Sequence, residues 1–489
     1  MRIVVIGGGV AGLGAAHFLA RDGHDVTVLE RDATPLPATP AEAFAHWDRR
    51  GAPQVRHSHA FLARLRNLLR DRAPDLLAAL LASGAAELPF GEFLPPTMAD
   101  RSPRPGDLDL VMLACRRVTF EWVLRREALR QPRIAFRDGA EVRGLRARGE
   151  GAALRVHGVE IATEDGAALS LDADYVVDAA GRRSKLPAWL EAIGVARPRE
   201  EAEDCGIYYV SRFYRLRGER PTGETTIAGD LGYVKYAVFH GDSGIFSVTF
   251  AASPDDAPLR ALLREKPFAA AAEAIPAVAP WVSPGVAEPI SDVHGMGNLR
   301  NVRRFLVEDG RPLAPGVLAI GDAAIHTNPL YGRGCTFALV YADALAQALR
   351  AHGDDAVAAA LALDAAIERE IVPWYKISVA QDRDAIEVAA RWRHGEDPDQ
   401  VREEGGVVDP KSYMRSLIRY GLIPALARDP DLSRAFFRSF NVMDPPGDLL
   451  KDPTILMKVL GFYQTRAERE EVALGPGRAA LVDLLARAV

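Results

Sequence analysis

The 489-residue chain is predicted to be an α/β protein (α+β overall): a Rossmann-like GxGxxG dinucleotide-binding domain, an inserted antiparallel β-sheet domain and a C-terminal helical region. Three observations predict it. A glycine-rich turn follows a short apolar strand at the start, β-rich segments cluster between Cys205 and Ala251, and nearly everything after Arg350 reads as helix.

The opening reads as one βαβ unit: a strand from Arg2 to Ile6, a glycine-rich turn, a helix over about Ala11 to Arg21, a turn at Asp22-Gly23-His24 and a strand from Asp25 to Glu30. Thr34 to Pro53, rich in Pro and Ala, reads as an irregular loop. A helix then begins near His59, with Phe61, Leu62, Leu65, Leu68 and Leu69 on one face. The proline-rich stretch Leu88 to Asp109 is a surface excursion or lid, and helix resumes around Thr119 to Leu129. Leu154 to Val159 alternates as a strand does, whereas the continuous apolar run Tyr175 to Ala180 suits a buried parallel strand. Gly206 to Leu216, Thr225 to Gly229, Tyr233 to His240 and Ile245 to Ala251 then read as antiparallel strands, with a hairpin turn at His240-Gly241-Asp242-Ser243-Gly244. A further buried strand, Val317 to Ile320, precedes a helix from about Cys335 to Ala351. The helical remainder is broken by loops near Gly395 to Val408 and Met443 to Asp452.

Such a length exceeds one ordinary core and predicts two or three domains. With 48% hydrophobic and 26% charged residues the chain is globular in composition, not disordered. A net charge of -6 supplies no general attraction to nucleic acid or an anionic membrane, which leaves a small molecule as the expected partner. Cys115, Cys205 and Cys335 lie far apart without a C-x-x-C pair, so neither a disulfide framework nor a zinc site is expected. Ile3 to Ala20 is nearly uncharged, but its glycines weaken a spanning helix and suit a strand, turn and buried helix. The expectation is a cytoplasmic chain with no integral membrane segment.

Three motifs carry the chemistry. In the first, Gly7-x-Gly9-x-x-Gly12, the first glycine permits a tight turn, the second admits a pyrophosphate and the third lets helix pack on strand. Glu30, with Arg31 after it, ends the next strand, where an acid accepts hydrogen bonds from ribose hydroxyls. The second motif is Gly321-Asp322 after a buried strand, continuing to Pro329, Gly332 and Gly334. Asp322 suits a polyol such as a ribityl chain, and the two later glycines admit a flat ring. The positive end of the next helix favours the anionic charge that builds on a reduced flavin. The third, Asp178-Ala-Ala-Gly181-Arg182-Arg183-Ser184, offers backbone, Arg and Ser donors for phosphates, or equally a turn with a helix cap at Ser184.

In that order the motifs resemble the FAD-dependent monooxygenase superfamily typified by p-hydroxybenzoate hydroxylase, over roughly Met1 to Ala351. The resemblance implies FAD, with Gly7, Gly9 and Gly12 at the pyrophosphate, Glu30 at the ribose, Asp322 at the ribityl chain, and Pro329, Gly332 and Gly334 beside the isoalloxazine. Arg117-Val-Thr-Phe-Glu-Trp looks like that family's Arg-x-x-Leu-Glu segment, which contacts FAD. Where the family has Asp-Gly, this chain has Ala180-Gly181, with the acid at Asp178. That form, and Gln54-Val-Arg-His57-Ser-His59, are closer to the flavin epoxidases of polyether biosynthesis. The implied domains are FAD-binding (1–87 with 110–190 and 295–350), substrate-binding sheet (88–109 with 191–294) and C-terminal helical region (351–489).

The implied reaction is oxygen insertion, by epoxidation or hydroxylation, into an apolar or aromatic small molecule through a C4a-hydroperoxyflavin. NADPH or NADH supplies electrons directly or through a separate flavin reductase, and molecular oxygen is the co-substrate. The alternatives are a flavin-dependent C=C reductase or dehydrogenase and a non-catalytic flavin carrier. A halogenase is disfavoured because the Trp-x-Trp-x-Ile-Pro signature is absent. Candidate residues near the flavin have two readings each. His57, His59 and His326 shuttle protons or serve structure, and Arg333 pairs with an anionic substrate or faces solvent. Cys335 is a stabilised thiolate or a small packing residue. Tyr208, Tyr214, Tyr233, Phe239 and Phe246 are expected to line the substrate pocket, although register decides which of them face it.

Overall fold

The computed structural model describes residues 1–163, 166, 168–221, 227–398, 403–404, 407–469 and 474–489. The chain opens with β1 (Arg2–Ile6), α1 (Val10–Arg21) and β2 (Asp25–Leu29), and α2 (Arg117–Arg130) later leads into β3 (Ile134–Arg137) and β4 (Tyr175–Asp178). Next come β5 (Tyr208–Leu216), β6 (Ile227–Asp230), β7 (Val234–His240), β8 (Ile245–Ala252) and α3 (Glu265–Ala274). Last are β9 (Val317–Ala319), α4 (Gly334–His352), α5 (Val372–Arg393) and α6 (Pro430–Phe440).

A parallel sheet in the order β9-β4-β1-β2-β3 forms the first core. Its centre is covered on both faces, which is why β4 is buried along its whole length and apolar from Tyr175 to Val177, ending on Asp178. Gly14 lets α1 approach α4: a Cβ there would stand 2.6 Å from Leu339 Cδ2. Val10, Leu13, Phe18 and Leu19 of α1 are buried with Leu339 and Leu345 of α4.

The second sheet is antiparallel, in the order β6-β7-β8-β5, with Ala287–Pro289 beyond β5. Of its expected strand Thr225 to Gly229, Thr225 and Thr226 lie outside the described residues, as do parts of the loop expected near Gly395 to Val408. Positive φ at Ser243 (56°) and Gly244 (69°) closes the β7–β8 hairpin, the handedness that matches strand twist. Asp242 in that turn is fully buried and ties the two sheets together. It accepts from Arg116 Nη2 at 2.6 Å and from Thr119 Oγ1 at 2.9 Å at the start of α2.

Three expectations are corrected. The loop from Thr34 to Pro53 contains a helix, Pro40–His46, capped by Thr39, whose side chain accepts from Glu42 N. The helix expected near His59 begins at Ala63, because Phe61 bridges to Leu113 in extended conformation. Strand β3 was not foreseen: four residues flanked by charge carry no period long enough to read.

No helix among the described residues is long and apolar enough to cross a membrane. The excursion 88–109 lies against α6, where Phe90 and Phe93 meet Phe437 at ring distances of 5.2 and 4.7 Å. Arg434 on α6 holds Asp107 through two hydrogen bonds of 2.8 and 2.9 Å.

Candidate active site

A single cavity of about 3650 Å³ runs from the β1–α1 turn, past Asp322 and the Pro329–Gly334 loop, to the face of the antiparallel sheet. Sites for one drug-sized ligand are about 300–1,000 Å³, so this one has room for a dinucleotide and a second molecule.

At its β1 end the three glycines divide their work. Gly7 has φ 103°, and a Cβ there would meet Ala179 O at 2.6 Å. A Cβ on Gly12 would stand 1.9 Å from Gly7 O, so this glycine packs helix on strand and does not line the cavity. A Cβ on Gly9 would meet no protein atom within 4 Å. Gly9 also caps α1 without a side-chain hydrogen bond, leaving the helix's first N–H groups open to the cavity. This bare helix N-terminus fits a pyrophosphate. Gly334, at the start of α4, is equally open, and Gly181 and Gly332 have φ of 74° and 68°.

Glu30 is buried and points into this end. It accepts from Gly8 N at 3.1 Å, Asp32 N at 3.0 Å and Arg49 Nη2 at 3.1 Å. A carboxylate has about four lone-pair sites, so one remains for a ribose hydroxyl. Arg31 stands beside it, half-exposed. Sequence reasoning missed Arg49, which is buried among Glu30, Asp32 and Glu121. These partners raise its pKa against the opposing effect of burial. Arg49 lies in an irregular segment with no spacing to betray it. Glu121 was legible: it stands one helical turn after Arg117, which donates to it at 3.2 Å.

The structure corrects the reading of Asp178 as a phosphate-side group. Its carboxylate is fully buried, accepts from Ala180 N at 3.0 Å and from the Ser184 hydroxyl, and does not line the cavity. Burial pushes its pKa up. The acid therefore closes the turn that presents Gly181 and Arg182.

His59 reaches the cavity wall and His57 does not. His59 Nδ1 lies 3.0 Å from His57 O, an acceptor, so Nδ1 carries the proton and Nε2 accepts from Arg117 Nη1 at 3.4 Å. Burial, with Arg117 second, lowers the His59 pKa to about 3. His57 is lowered to about 3, again chiefly by burial, and faces Ser211 Oγ at 3.4 Å. Both imidazoles are neutral at physiological pH. His326 follows the same pattern, with Nδ1 donating to Asp322 O at 3.2 Å, and burial lowers its pKa. Cys335 accepts from Arg117 at 3.3 Å, yet its pKa is raised by burial, the opposite of a reactive thiolate.

The pocket expectation is corrected for three aromatics. Even-numbered residues of β5 and β8 face away from the cavity, so Tyr208, Tyr214 and Phe246 pack against α3 and Trp281. Tyr214 and Phe246 stack at 5.4 Å. Tyr233 and Phe239 line the cavity. On the odd-numbered face Tyr209 lines the cavity, and Ser211, Ser247 and Thr249 are joined with Ser58 by hydroxyl hydrogen bonds of 2.6 to 2.8 Å.

Behind the Pro329–Gly334 loop lies a second unforeseen network. Asp382 on α5 accepts from Asn301 at 2.6 Å, Asn328 at 2.8 Å and Tyr331 at 2.7 Å. It fixes the loop from a region that the sequence marks only as helical.

Comparison with known proteins agrees with this architecture. The chain is 28% identical over 479 residues to Protein Rv3254 of Mycobacterium tuberculosis, covering 90% of this chain and 89% of that one. Its fold resembles p-nitrophenol 4-monooxygenase PnpA of Pseudomonas putida, at a TM-score of 0.58 and 16% identity, covering 91% of this chain and 98% of PnpA. It also resembles OxyS anhydrotetracycline hydroxylase of Streptomyces rimosus, at a TM-score of 0.53 and 20% identity, covering 91% and 76% of the two chains. Residues 2–348 match the family described as FAD dependent oxidoreductase, and with most of its length inside that match the chain belongs to this family of enzymes.

Proposed function

We propose that this FAD-dependent oxidoreductase is a monooxygenase that places one oxygen atom, by hydroxylation or epoxidation, on an apolar or aromatic small molecule. The observation that carries the reading is the continuity of one cavity from the bare helix N-terminus at Gly9 to the far sheet face at Phe239. PnpA and OxyS, which share the fold, are named as a monooxygenase and a hydroxylase.

When bound, FAD supplies the two-electron chemistry and the activation of oxygen. The protein binds, orients and excludes water. Among the residues on the cavity wall, Gly7, Gly9 and the start of α1 would hold the pyrophosphate, Glu30 and Arg31 the adenosine ribose, and Asp322 the ribityl chain. Pro329, Gly332 and Gly334 would take the ring, with Gly181 and Arg117 on the phosphate side. Neutral His59 keeps a fixed tautomer and donates no proton to the reaction. His326 Nε2 is a lone-pair acceptor on the cavity wall, able to accept a hydrogen bond from a substrate hydroxyl and so orient it. Tyr233 and Phe239 form part of the apolar wall of a site in the cytoplasm.

Anaerobic addition of NADPH or NADH to the purified flavoprotein, followed by rapid mixing with oxygen, tests this. Reoxidation through a transient distinct from oxidised and reduced flavin supports oxygen insertion. Direct bleaching assigns the electrons to the pyridine nucleotide, and bleaching only by chemical reduction assigns them to a separate flavin reductase. Reoxidation in one step with no transient, with or without apolar substrates, overturns the proposal in favour of a reductase or a carrier.

A further inference from the structure

Arg333 precedes α4 at the cavity wall and points towards α5. Its guanidinium carbon is 4.4 Å from the centre of the Trp374 ring and 5.0 Å from that of Tyr331. Its hydrogen bond to protein is a long one, Nη1 to Ser378 Oγ at 3.4 Å. Among the described residues no carboxylate oxygen lies within the roughly 4 Å of an ion pair.

The ionisable groups that act on it are Tyr331 and Asp382. Asp382 already accepts from Asn301, Asn328 and the Tyr331 hydroxyl. Burial lowers the Arg333 pKa to about 10, which leaves it cationic at neutral pH. A part-buried guanidinium on the cavity wall, flanked by two aromatic rings and, among the described residues, by no carboxylate, leaves its charge available to an anionic ligand. Two aromatic faces hold the guanidinium plane in place, an arrangement suited to bidentate recognition of a planar anion.

The cavity beyond Arg333 sets the rest of the ligand. Along α5 the wall includes the apolar Trp374, Ile377, Ala380, Ala385 and Val388, with Gln381 and Asp382 between them. Asp384 on the same wall is already paired with Arg415 at 2.6 Å. With Arg415 on the same wall neutralised by Asp384, an apolar track that ends on Arg333 suits a molecule carrying its charge at one end.

We propose that Arg333 anchors the carboxylate of an apolar monocarboxylic acid whose body lies along α5. The assignment rests on reading this part of the cavity as the substrate half of the site, and it deepens that reading by naming the substrate class.

The test is calorimetric titration of the purified protein with benzoate and with its neutral isostere benzamide. Wild type is expected to bind benzoate about tenfold or more tighter, the effect of one charge-assisted pair. Arg333→Gln should bring the two ligands within about twofold, while Arg333→Lys keeps a preference for the anion. Equal affinities in the wild type, no benzoate binding, or a preference that survives Arg333→Gln overturns the proposal. The wild-type comparison decides even if the Gln variant does not fold. A protein that binds no flavin yet still prefers benzoate refutes the oxygenase reading and leaves the anion site standing. A flavoprotein without the preference does the reverse.

Discussion

Substituting Gly9 and Gly12 separately should split cofactor binding from folding, although the two belong to one motif. At Gly12 an added Cβ falls 1.9 Å from Gly7 O, and backbone cannot swing aside as a side chain would. Overpacking of this kind costs about 3 kcal/mol or more, equivalent to a melting temperature lowered by roughly 10 °C in a domain of this size. At Gly9 the Cβ meets no protein atom within 4 Å, and φ -85° with ψ -174° is extended backbone open to alanine. Gly9→Ala should therefore cost the unliganded protein about 1 kcal/mol or less, through the poorer helix cap alone. The open space at Gly9 is where a phosphate must approach the α1 N–H groups. Losing one or two charge-assisted hydrogen bonds there, at about 1.5–3 kcal/mol each, weakens FAD binding by roughly 10- to 20,000-fold. Differential scanning fluorimetry on the flavin-free protein and quenching of FAD fluorescence measure the two effects independently. If Gly9→Ala lowers the flavin-free melting temperature as far as Gly12→Ala does, or leaves FAD affinity unchanged, the division of labour is wrong.

Arg49→Met should destabilise the protein by about 3–5 kcal/mol, because it strands Glu30 and Glu121 as buried charges; chemical denaturation measures it. Asp322→Ala should abolish stable flavin binding while the flavin-free melting temperature moves by less than about 2 °C, a shift of about 1 kcal/mol at most. Stability should also fall in acid. His57 and His59 have folded pKa values of about 3 against 6.5, so below pH 6.5 the unfolded chain takes up protons that the folded one refuses. Each contributes a slope of about 1.4 kcal/mol per pH unit until the pH nears 3, and His59→Gln should remove one such contribution from urea titrations run at pH 4.5 to 6.5. Asp382→Asn leaves Asn301, Asn328 and Tyr331 donating to a weaker acceptor, so bound flavin should show a lower fluorescence anisotropy as the loop loosens.

The parallel sheet was legible because its signals are local. Gly7 takes a left-handed φ, a Cβ on Gly12 would strike Gly7 O, and Gly9 keeps the helix start bare, while β4 is apolar from Tyr175 to Val177 because both faces are covered. The hairpin at Ser243-Gly244 was readable for the same reason, since its turn needs two positive φ values. The short strand β3 and the helix Pro40–His46 were not, because neither spans enough residues to establish a period.

The site divides along the same line. Glycines and the Asp322 strand end stand where their motifs put them, whereas two of the charges that brace the site, Arg49 and Asp382, come from far away in the chain. Arg49 joins Glu121 across 72 residues, and Asp382 joins Asn328 across 54. A buried charge chooses its partner by three-dimensional proximity, and no spacing rule in one sequence encodes that choice. On the sheet the limit was parity: Tyr208, Tyr214 and Phe246 are aromatic for the second core, and a one-residue shift of register separates that face from the one presenting Ser211 and Thr249. Cofactor recognition is therefore written in local backbone geometry, while substrate recognition is written in which side of a sheet, and which cation, the finished fold turns towards the cavity.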